Sequence, residues 1–175
     1  MKRILELGLA IAVLTFVPSG CGYRPVGQST RLPADLHVLA VPVFINQTQT
    51  YRIEQILTKD VMREFIDRTR YRVVADSGES ADATLKGTVT GAHTAPLTYD
   101  AQSGRVSSAL VSVTVNVSLV DRNGRILFEN PNYTFRQQYQ VSREVTSFFE
   151  EQTPALQRMS QDFARTLVSD ILEAF

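Results

Sequence analysis

The most reactive side chain of this sequence is its single cysteine, Cys21. It follows a largely apolar stretch, residues 7–17, which Lys2 and Arg3 precede. A helix of this length would cross only about half of a bilayer core, so the pattern predicts an export signal and not a permanent membrane span. Two chemistries are open to a thiol at this place. It is either left free by an ordinary cleaved signal or covalently modified.

The residues next to Cys21 favour modification. Ser19 and Gly20 are small and stand directly before it, which resembles the signal of bacterial lipoproteins, although Pro18 occupies the position where that signal usually carries Leu. In that signal the cysteine becomes the acylated N-terminus. The glycine directly after it, Gly22, resembles the residue found there in lipoproteins that are exported onward from the inner membrane. A lone free thiol is a liability in an oxidising compartment, and acylation removes it. The sequence therefore predicts a lipoprotein signal peptide over residues 1–20, with Cys21 as the lipid attachment that holds the protein to a membrane.

The familiar templates of catalytic sites are missing from the sequence. It contains no glycine-rich phosphate loop, CxxC pair, HExxH or GxSxG, and one cysteine with two histidines nearly excludes a structural zinc site. His37 and His93 lie in apolar, strand-like stretches, where a hydrogen-bonded structural or surface histidine is the simpler interpretation. We therefore predict no enzyme and no cofactor.

The charge balance argues against nucleic acid as a partner. The formal net charge is zero, and removal of Lys2, Arg3 and Glu6 with the signal leaves one surplus acidic residue. General nucleic-acid binding needs many surplus lysines and arginines to displace counterions. The remaining chain, residues 21–175, has the length of one ordinary domain. We divide it into a lipidated tether over residues 21–35, rich in Gly, Pro and Ser, and a single domain over residues 36–175.

Two elements begin this domain. Residues 37–46 form a buried type of strand in which Pro42 indicates an edge or a bulge. A helix over about 50–69 follows, with Thr50 as a plausible N-cap and an apolar stripe of Ile53, Ile56, Leu57, Val61 and Phe65. Residues 71–75 then read as a short strand and residues 76–82 as a polar turn.

Three long strands come next. Leu85, Gly87, Val89 and Gly91 are predicted to share one face of the first. The second, residues 108–121, is apolar at every odd position from Ala109 to Leu119 and polar at most even ones, so one face is buried and the other is wet. Asn123 and Gly124 suit a tight hairpin turn into the third strand, residues 126–140, where Asn130 and Pro131 mark a bulge.

A second amphipathic helix closes the chain. It is predicted to begin near Thr153 with Pro154 at its first position, and its stripe is Leu156, Met159, Phe163, Leu167 and Ile171. Three antiparallel strands with one apolar face need a cover, which two amphipathic helices supply. The elements thus predict a two-layer α+β sandwich, in which Val113 and Val115 lie under the helices with Phe163 packed against them.

Three stretches, in this order, resemble the LptE family of lipopolysaccharide-assembly lipoproteins. They are "CGYRP", "YDAQSGRVSSALVSVTVNVSLVDRNGRILF" and "EEQTPALQRMSQDFARTLVSDIL", and the likeness covers nearly the whole chain after the signal. The resemblance implies two helices packed on one face of a mixed, largely antiparallel sheet. It also implies an outer-membrane lipoprotein, lipid-anchored on the periplasmic side, that plugs an LptD-like β-barrel and helps it to assemble lipopolysaccharide. A polar sheet face is compatible with the polar lumen of a barrel.

The resemblance further implies that lipopolysaccharide is bound by basic side chains in the loop between the first two long strands and before the last helix. Arg105 and Arg143 stand nearest to these places, and the aromatic residues Tyr99, Phe148 and Phe149 lie in the same two segments. In a meander the first and third strands run the same way, so both segments emerge at one end of the sheet. The simpler interpretation is that both arginines are solvated loop residues.

Two other functions stay open from the sequence. One is a lipoprotein pilot or structural adaptor for another envelope complex, with the same sandwich as a docking surface. The other is an exported hydrolase, for which the chain lacks a nucleophile paired with a base.

Overall fold

A computed structural model describes residues 36–76, 78, 81–141 and 148–174, with the backbone alone for residues 148–152. Within these residues the chain forms six strands and two helices. In chain order they are β1 (Val38–Ala40), β2 (Ile45–Asn46), α1 (Ile53–Arg68), β3 (Arg72–Val74), β4 (Ala83–Tyr99), β5 (Val106–Asp121), β6 (Ile126–Gln140) and α2 (Phe148–Glu173).

The strands form one mixed sheet in the order β3-β1-β4-β5-β6, with β2 also paired to β4. The long strands β4, β5 and β6 make an antiparallel meander, whereas β1 pairs in parallel with β3 and β4, and β2 in parallel with β4. The predicted α+β sandwich and the meander are confirmed.

The core lies between one face of this sheet and the two helices. Every odd position of β5 from Ala109 to Leu119 is buried, as the alternation predicted. The ring of Phe163 on α2 is fully buried and packs edge-on against Phe135 and Tyr133, with centroid distances of 5.2 and 6.1 Å. These two rings stand beside Val113 and Val115 in the β5–β6 register. The predicted inner face is therefore correct, and aromatic residues of β6 meet Phe163.

The start of the domain differs from its prediction. Residues 37–46 are not one strand, because the pairing stops at Ala40 and resumes at Ile45, on either side of Pro42. The first helix begins at Ile53, and Thr50 does not cap it. The side-chain amide of Asn46 explains the late start: it donates to the carbonyl of Thr50 at 2.9 Å and accepts from the N–H of Thr48 at 2.8 Å, which folds the preceding loop into turns.

One face assignment in β4 is also wrong. Leu85, Gly87 and Val89 face the core, but the register shifts between Val89 and Gly91, which leaves Thr90 as an extra residue. A bulge of one residue moves every following side chain to the other face. Gly91 therefore lies opposite Thr114, on the polar face of the sheet. The bulge predicted in β6 is confirmed, because two residues stand between Asn130 and Tyr133 where only one stands between their partners Val117 and Val115 in β5.

The last helix begins earlier than predicted. It starts at Phe148, so Pro154 stands inside the helix and not at its first position. Proline costs the helix one hydrogen bond to the carbonyl four residues upstream, but its fixed φ is itself helical. Neither helix of the described residues is long and apolar enough to cross a membrane.

Candidate functional site

One candidate site is the end of the sheet at the connection between β4 and β5, where the sequence predicts lipopolysaccharide-binding residues. β4 does not stop near Ala95 but continues to Tyr99, so the connection to β5 shrinks to a tight turn over residues 100–105. Asp100 organises this turn: its side chain accepts the N–H groups of Gln102 and Ser103 at 3.1 and 2.8 Å. Gly104, with a φ of 66°, adopts the left-handed conformation that the turn requires.

Two of the predicted residues flank this turn. Tyr99 is the last residue of β4, is 60% exposed and pairs with Val106. Arg105 closes the turn, because its carbonyl accepts the N–H of Asp100 at 2.7 Å, and its side chain is exposed.

The end of β6 lies beside the same turn. Gln140 pairs with Ser108, and the N–H of Val141 donates to the carbonyl of Ser107 at 3.0 Å. The predicted common end of the two segments is thus correct for the backbone. Arg143 and Cys21 lie outside the described residues, and Phe148 and Phe149 open α2 within its backbone-only part. The joint site of Arg105 and Arg143 therefore stays a prediction.

A second candidate binding surface is the broad polar face of the sheet. We call it the outer sheet face; it consists of the even positions of β5 and the side chains of β4 and β6 that lie beside them. Its central members are Ser112, Thr114, Asn116 and Ser118, all half-buried. The hydroxyls of Thr114 and Thr134 lie 3.2 Å apart across β5 and β6. The face offers mainly hydroxyl and amide groups.

Sequence reasoning missed the apolar residues on this face. Ile45 pairs with Thr88, and Ile126 pairs with Val120, so both project from the polar side of the sheet; they are 62% and 56% exposed. Tyr99 does not share this face: the hydroxyl of Thr98 lies 2.7 Å from those of Ser107 and Ser108, so Thr98 faces outward and Tyr99, directly after it, faces the helix side of the sheet. A signal for Ile45 did exist, since buried Phe44 precedes it and strand side chains alternate.

The opposite end of the sheet is a structural clamp. The carboxylate of Asp82 accepts the N–H groups of His37 and Val38 at 2.7 and 2.8 Å and also binds the guanidinium of Arg122. These hydrogen bonds, and secondarily the charge of Arg122, hold the pKa of Asp82 below its usual value. Asp82 therefore ties the start of β1 and the β5–β6 turn to β4.

A notch of about 100 Å³ lies beside Leu36 and Asp82, and a larger polar hollow of about 460 Å³ lies along residues 46–55, before and at the start of α1. No group of three His, Cys, Asp or Glu in the described part of the chain could hold a metal. Tyr133 has a raised pKa, first because it is partly buried and then because it donates to Asp170 at 2.5 Å. This contact joins β6 to α2 and lies away from both surfaces described above.

Comparison with known proteins identifies the family. The family model described as LptE, lipopolysaccharide-assembly, matches residues 36–171. The chain belongs to the LptE family. LptE proteins are non-enzymatic lipopolysaccharide-assembly lipoproteins, so this chain is a lipoprotein of that type. No curated protein matches the sequence significantly.

Solved structures share the fold of this LptE-family chain. Lipoprotein B from Nitrosomonas europaea has 17% identity and a TM-score of 0.56, over 86% of this chain and 90% of that one. A lipoprotein from Caulobacter crescentus has 13% identity and a TM-score of 0.54, over 76% and 88%. A protein from Xanthomonas campestris has 16% identity and a TM-score of 0.51, over 78% and 84%. At these identities the likeness supports the fold alone.

Proposed function

We propose that this LptE-family protein is an outer-membrane lipoprotein, anchored on the periplasmic side through Cys21, that plugs an LptD-like β-barrel and assists it in placing lipopolysaccharide in the outer leaflet. The observation that carries the proposal is the family match over residues 36–171, which spans nearly all of the folded domain. The predicted signal and tether, residues 1–20 and 21–35, supply the anchor.

The surface of the sheet supports the plug. The lumen of an outer-membrane barrel is polar, so a plug must present polar groups to it without leaving buried ones unpaired. The outer sheet face presents hydroxyls and amides, and every fully buried side-chain polar atom in the described residues has a hydrogen-bond partner. A compact domain of this kind can enter a polar lumen without losing its own core.

The end of the sheet supports contact with lipopolysaccharide. Arg105 is exposed beside the β4–β5 turn, and Arg143 follows β6 by three residues. Guanidinium groups bind phosphate through paired N–H donors, which lysine matches less well. Tyr99, and with it Phe148 and Phe149 at the start of α2, would meet the acyl boundary of the same ligand. Arg105 and Arg143 are thus proposed to bind lipid A phosphates.

Replacing both arginines tests this site. We expect Arg105→Glu with Arg143→Glu to weaken lipopolysaccharide binding by the purified domain at least tenfold, on the order of the loss of one charged hydrogen-bonded contact, while the melting temperature stays near that of the wild type. Arg63→Glu with Arg158→Glu is the matched control, because it makes the same charge change on exposed helix residues. Unchanged binding in a folded double variant rejects the site.

The partner is tested with the full-length chain. Affinity purification from outer membranes, followed by mass spectrometry, should recover an outer-membrane barrel subunit. Recovery of a different envelope complex without a barrel would instead favour the pilot or adaptor alternative.

A further inference from the structure

The two broad surfaces of the domain differ in charge. The exposed side of the helix layer carries charged groups along both helices, namely Lys59, Arg63, Asp67, Arg158, Asp162 and Arg165. Several of them pair along their own helix, as Arg63 does with Asp67 at 3.6 Å and Arg165 with Asp162 at 3.7 Å. Such exposed pairs are solvated and contribute little to stability. The exposed side of the helix layer is therefore a charged surface of the kind that proteins present to solvent.

The outer sheet face has few charges. Among the described side chains of the three long strands that lie on this face, the ones that can carry a charge at neutral pH are Lys86, His93, Glu129 and Arg136; Asp121, which ends β5, pairs with Ala83 on the core side. Lys86 and Glu129 stand on either side of Ser118 in one cross-strand row, so opposite charges flank the same residue. The remaining surface is hydroxyl, amide and apolar.

Exposed apolar side chains lie on this same face. Ile45 and Ile126 are each more than half exposed, and Leu110 and Val120 are half-buried between polar neighbours. On the helices the large exposed apolar side chain in the described set is Ile66. Depletion of charge together with exposed apolar residues is typical of the central part of a protein interface.

The size of the face fits a specific contact. With β5 as its centre, sixteen residues long, three strands cover an area roughly 50 Å by 14 Å, or about 700 Å². One partner of an ordinary stable interface contributes about 800 Å². The face is therefore large enough for a specific protein partner, with β2 adding to its edge.

We infer that the outer sheet face, and not the helix layer, is the surface that contacts the polar lumen wall of the barrel. The inference rests on the proposed function and adds to it the orientation of the plug. A polar lumen wall can exchange hydrogen bonds with the Ser, Thr and Asn side chains of this face without the desolvation of many ions that contact through the helix layer would require. The charged helices then face water inside the barrel.

Arginine variants on the two surfaces test the orientation. The outer-face variant is Ser112→Arg with Asn116→Arg, at two even positions of β5; the matched control is Gln161→Arg with Thr166→Arg, at two exposed positions of α2. Tagged full-length protein is purified from membranes, and the recovered barrel is quantified against the bait. We expect at least a tenfold loss for the outer-face variant and less than a twofold change for the helix variant, with both purified domains melting near the wild type.

A photo-crosslinking amino acid keeps the test decisive if the arginine variant does not fold. Benzoylphenylalanine at Thr114 of the full-length chain should crosslink to the barrel in cells, whereas the same group at Gln161 should not. A barrel adduct from position 161 alone, equal recovery with both arginine variants, or a homodimer adduct from position 114 overturns the orientation. If the wild type recovers no barrel and neither position crosslinks to one, the proposed function itself fails and the orientation fails with it.

Discussion

Gly87 leaves room for the ring of Phe44. A Cβ atom at Gly87 would stand 2.6 Å from three carbons of that ring, and Phe44 is itself buried and packs edge-on against Phe163 at 6.4 Å. The backbone N–H of Phe44 is also fixed, because it donates to the hydroxyl of Thr58 at 3.0 Å. The ring therefore cannot move aside without disturbing both contacts.

Substitution of this glycine should be costly. We expect Gly87→Ala to lower the free energy of unfolding by about 1–3 kcal/mol, the usual range for overpacking a core, as measured by urea denaturation. Gly91→Ala is the control in the same strand, since its nearest contacts would lie at 3.7–3.8 Å, an ordinary van der Waals distance. Equal effects of the two substitutions would contradict the close approach of Phe44.

Asp82 predicts a pH dependence of stability. Its folded pKa lies below the ordinary value of 3.8, chiefly because the N–H groups of His37 and Val38 bind the carboxylate. A lowered pKa contributes stability that is fully present above the unfolded value and is lost as the pH falls through the folded one. The contribution should thus be present at pH 7 and fade below about pH 4.

The variant Asp82→Asn measures that contribution. We expect it to destabilise the protein at pH 7 by about 1–2 kcal/mol, because charged hydrogen bonds are replaced by weaker neutral ones, and the difference from the wild type should shrink at pH 3. Asp162→Asn, at an exposed helix position, is the control and should change little at either pH. A difference that stays constant with pH would show that the charge of Asp82 is not its source.

At the scale of elements, the parts predicted correctly are those whose pattern is local and repeated. The odd positions of β5 alternate over eleven residues, Ala109 to Leu119, and that period alone decides which face is buried. Asn123-Gly124 and Asn130-Pro131 mark the turn and the bulge by residue type, and Gly124 indeed has a positive φ of 82°.

The parts missed depend on contacts that no local pattern reveals. The bulge at Thr90 carries no proline or asparagine, and Gly91 beside it, although glycine in a strand can mark a bulge, also fits an unbroken alternation. Thr50 looks like a cap, but the amide of Asn46 binds its carbonyl and Arg52 takes a left-handed conformation before α1 begins. The sequence predicts a loop at Tyr99, but the pairing of β4 with β5 extends beyond the alternating stretch and includes it. The sequence does not predict that Ile45 and Ile126 lie on the outer sheet face, because their orientation depends on pairing with other strands.

Two neighbouring positions of β5 test the face assignment directly. Val115 is 1% exposed under the helices, whereas Asn116 lies on the outer sheet face. Val115→Asp would bury an unpaired charge, which costs more than about 4 kcal/mol and is comparable to the whole stability of a domain. Asn116→Asp should stay within about 0.5 kcal/mol. Thermal melting of the two variants decides the matter, and similar melting temperatures would reverse the assignment.

At the scale of the whole molecule, the two ends of the sheet have different tasks. Leu36, the first described residue, lies beside Asp82 and Arg122 at the end held by the clamp, whereas Tyr99 and Arg105 lie at the other end of β4 and β5. The length of β5 separates these ends by roughly 50 Å. The predicted tether of residues 21–35 could itself reach at most about 50 Å when extended. The predicted tether would therefore join the domain at the end opposite to the proposed lipopolysaccharide contacts.

This arrangement predicts that anchoring and folding are independent. Cys21→Ala should abolish metabolic palmitate labelling of the protein, because the thiol is the only acylation site the signal offers, while Ser29→Ala in the predicted tether should label like the wild type. The Cys21→Ala protein should melt at the wild-type temperature, since the described core is formed by the sheet and the two helices. Equal labelling of the cysteine variant and the wild type would show that Cys21 is not the lipid attachment site. A lowered melting temperature would show that the tether contributes to the fold.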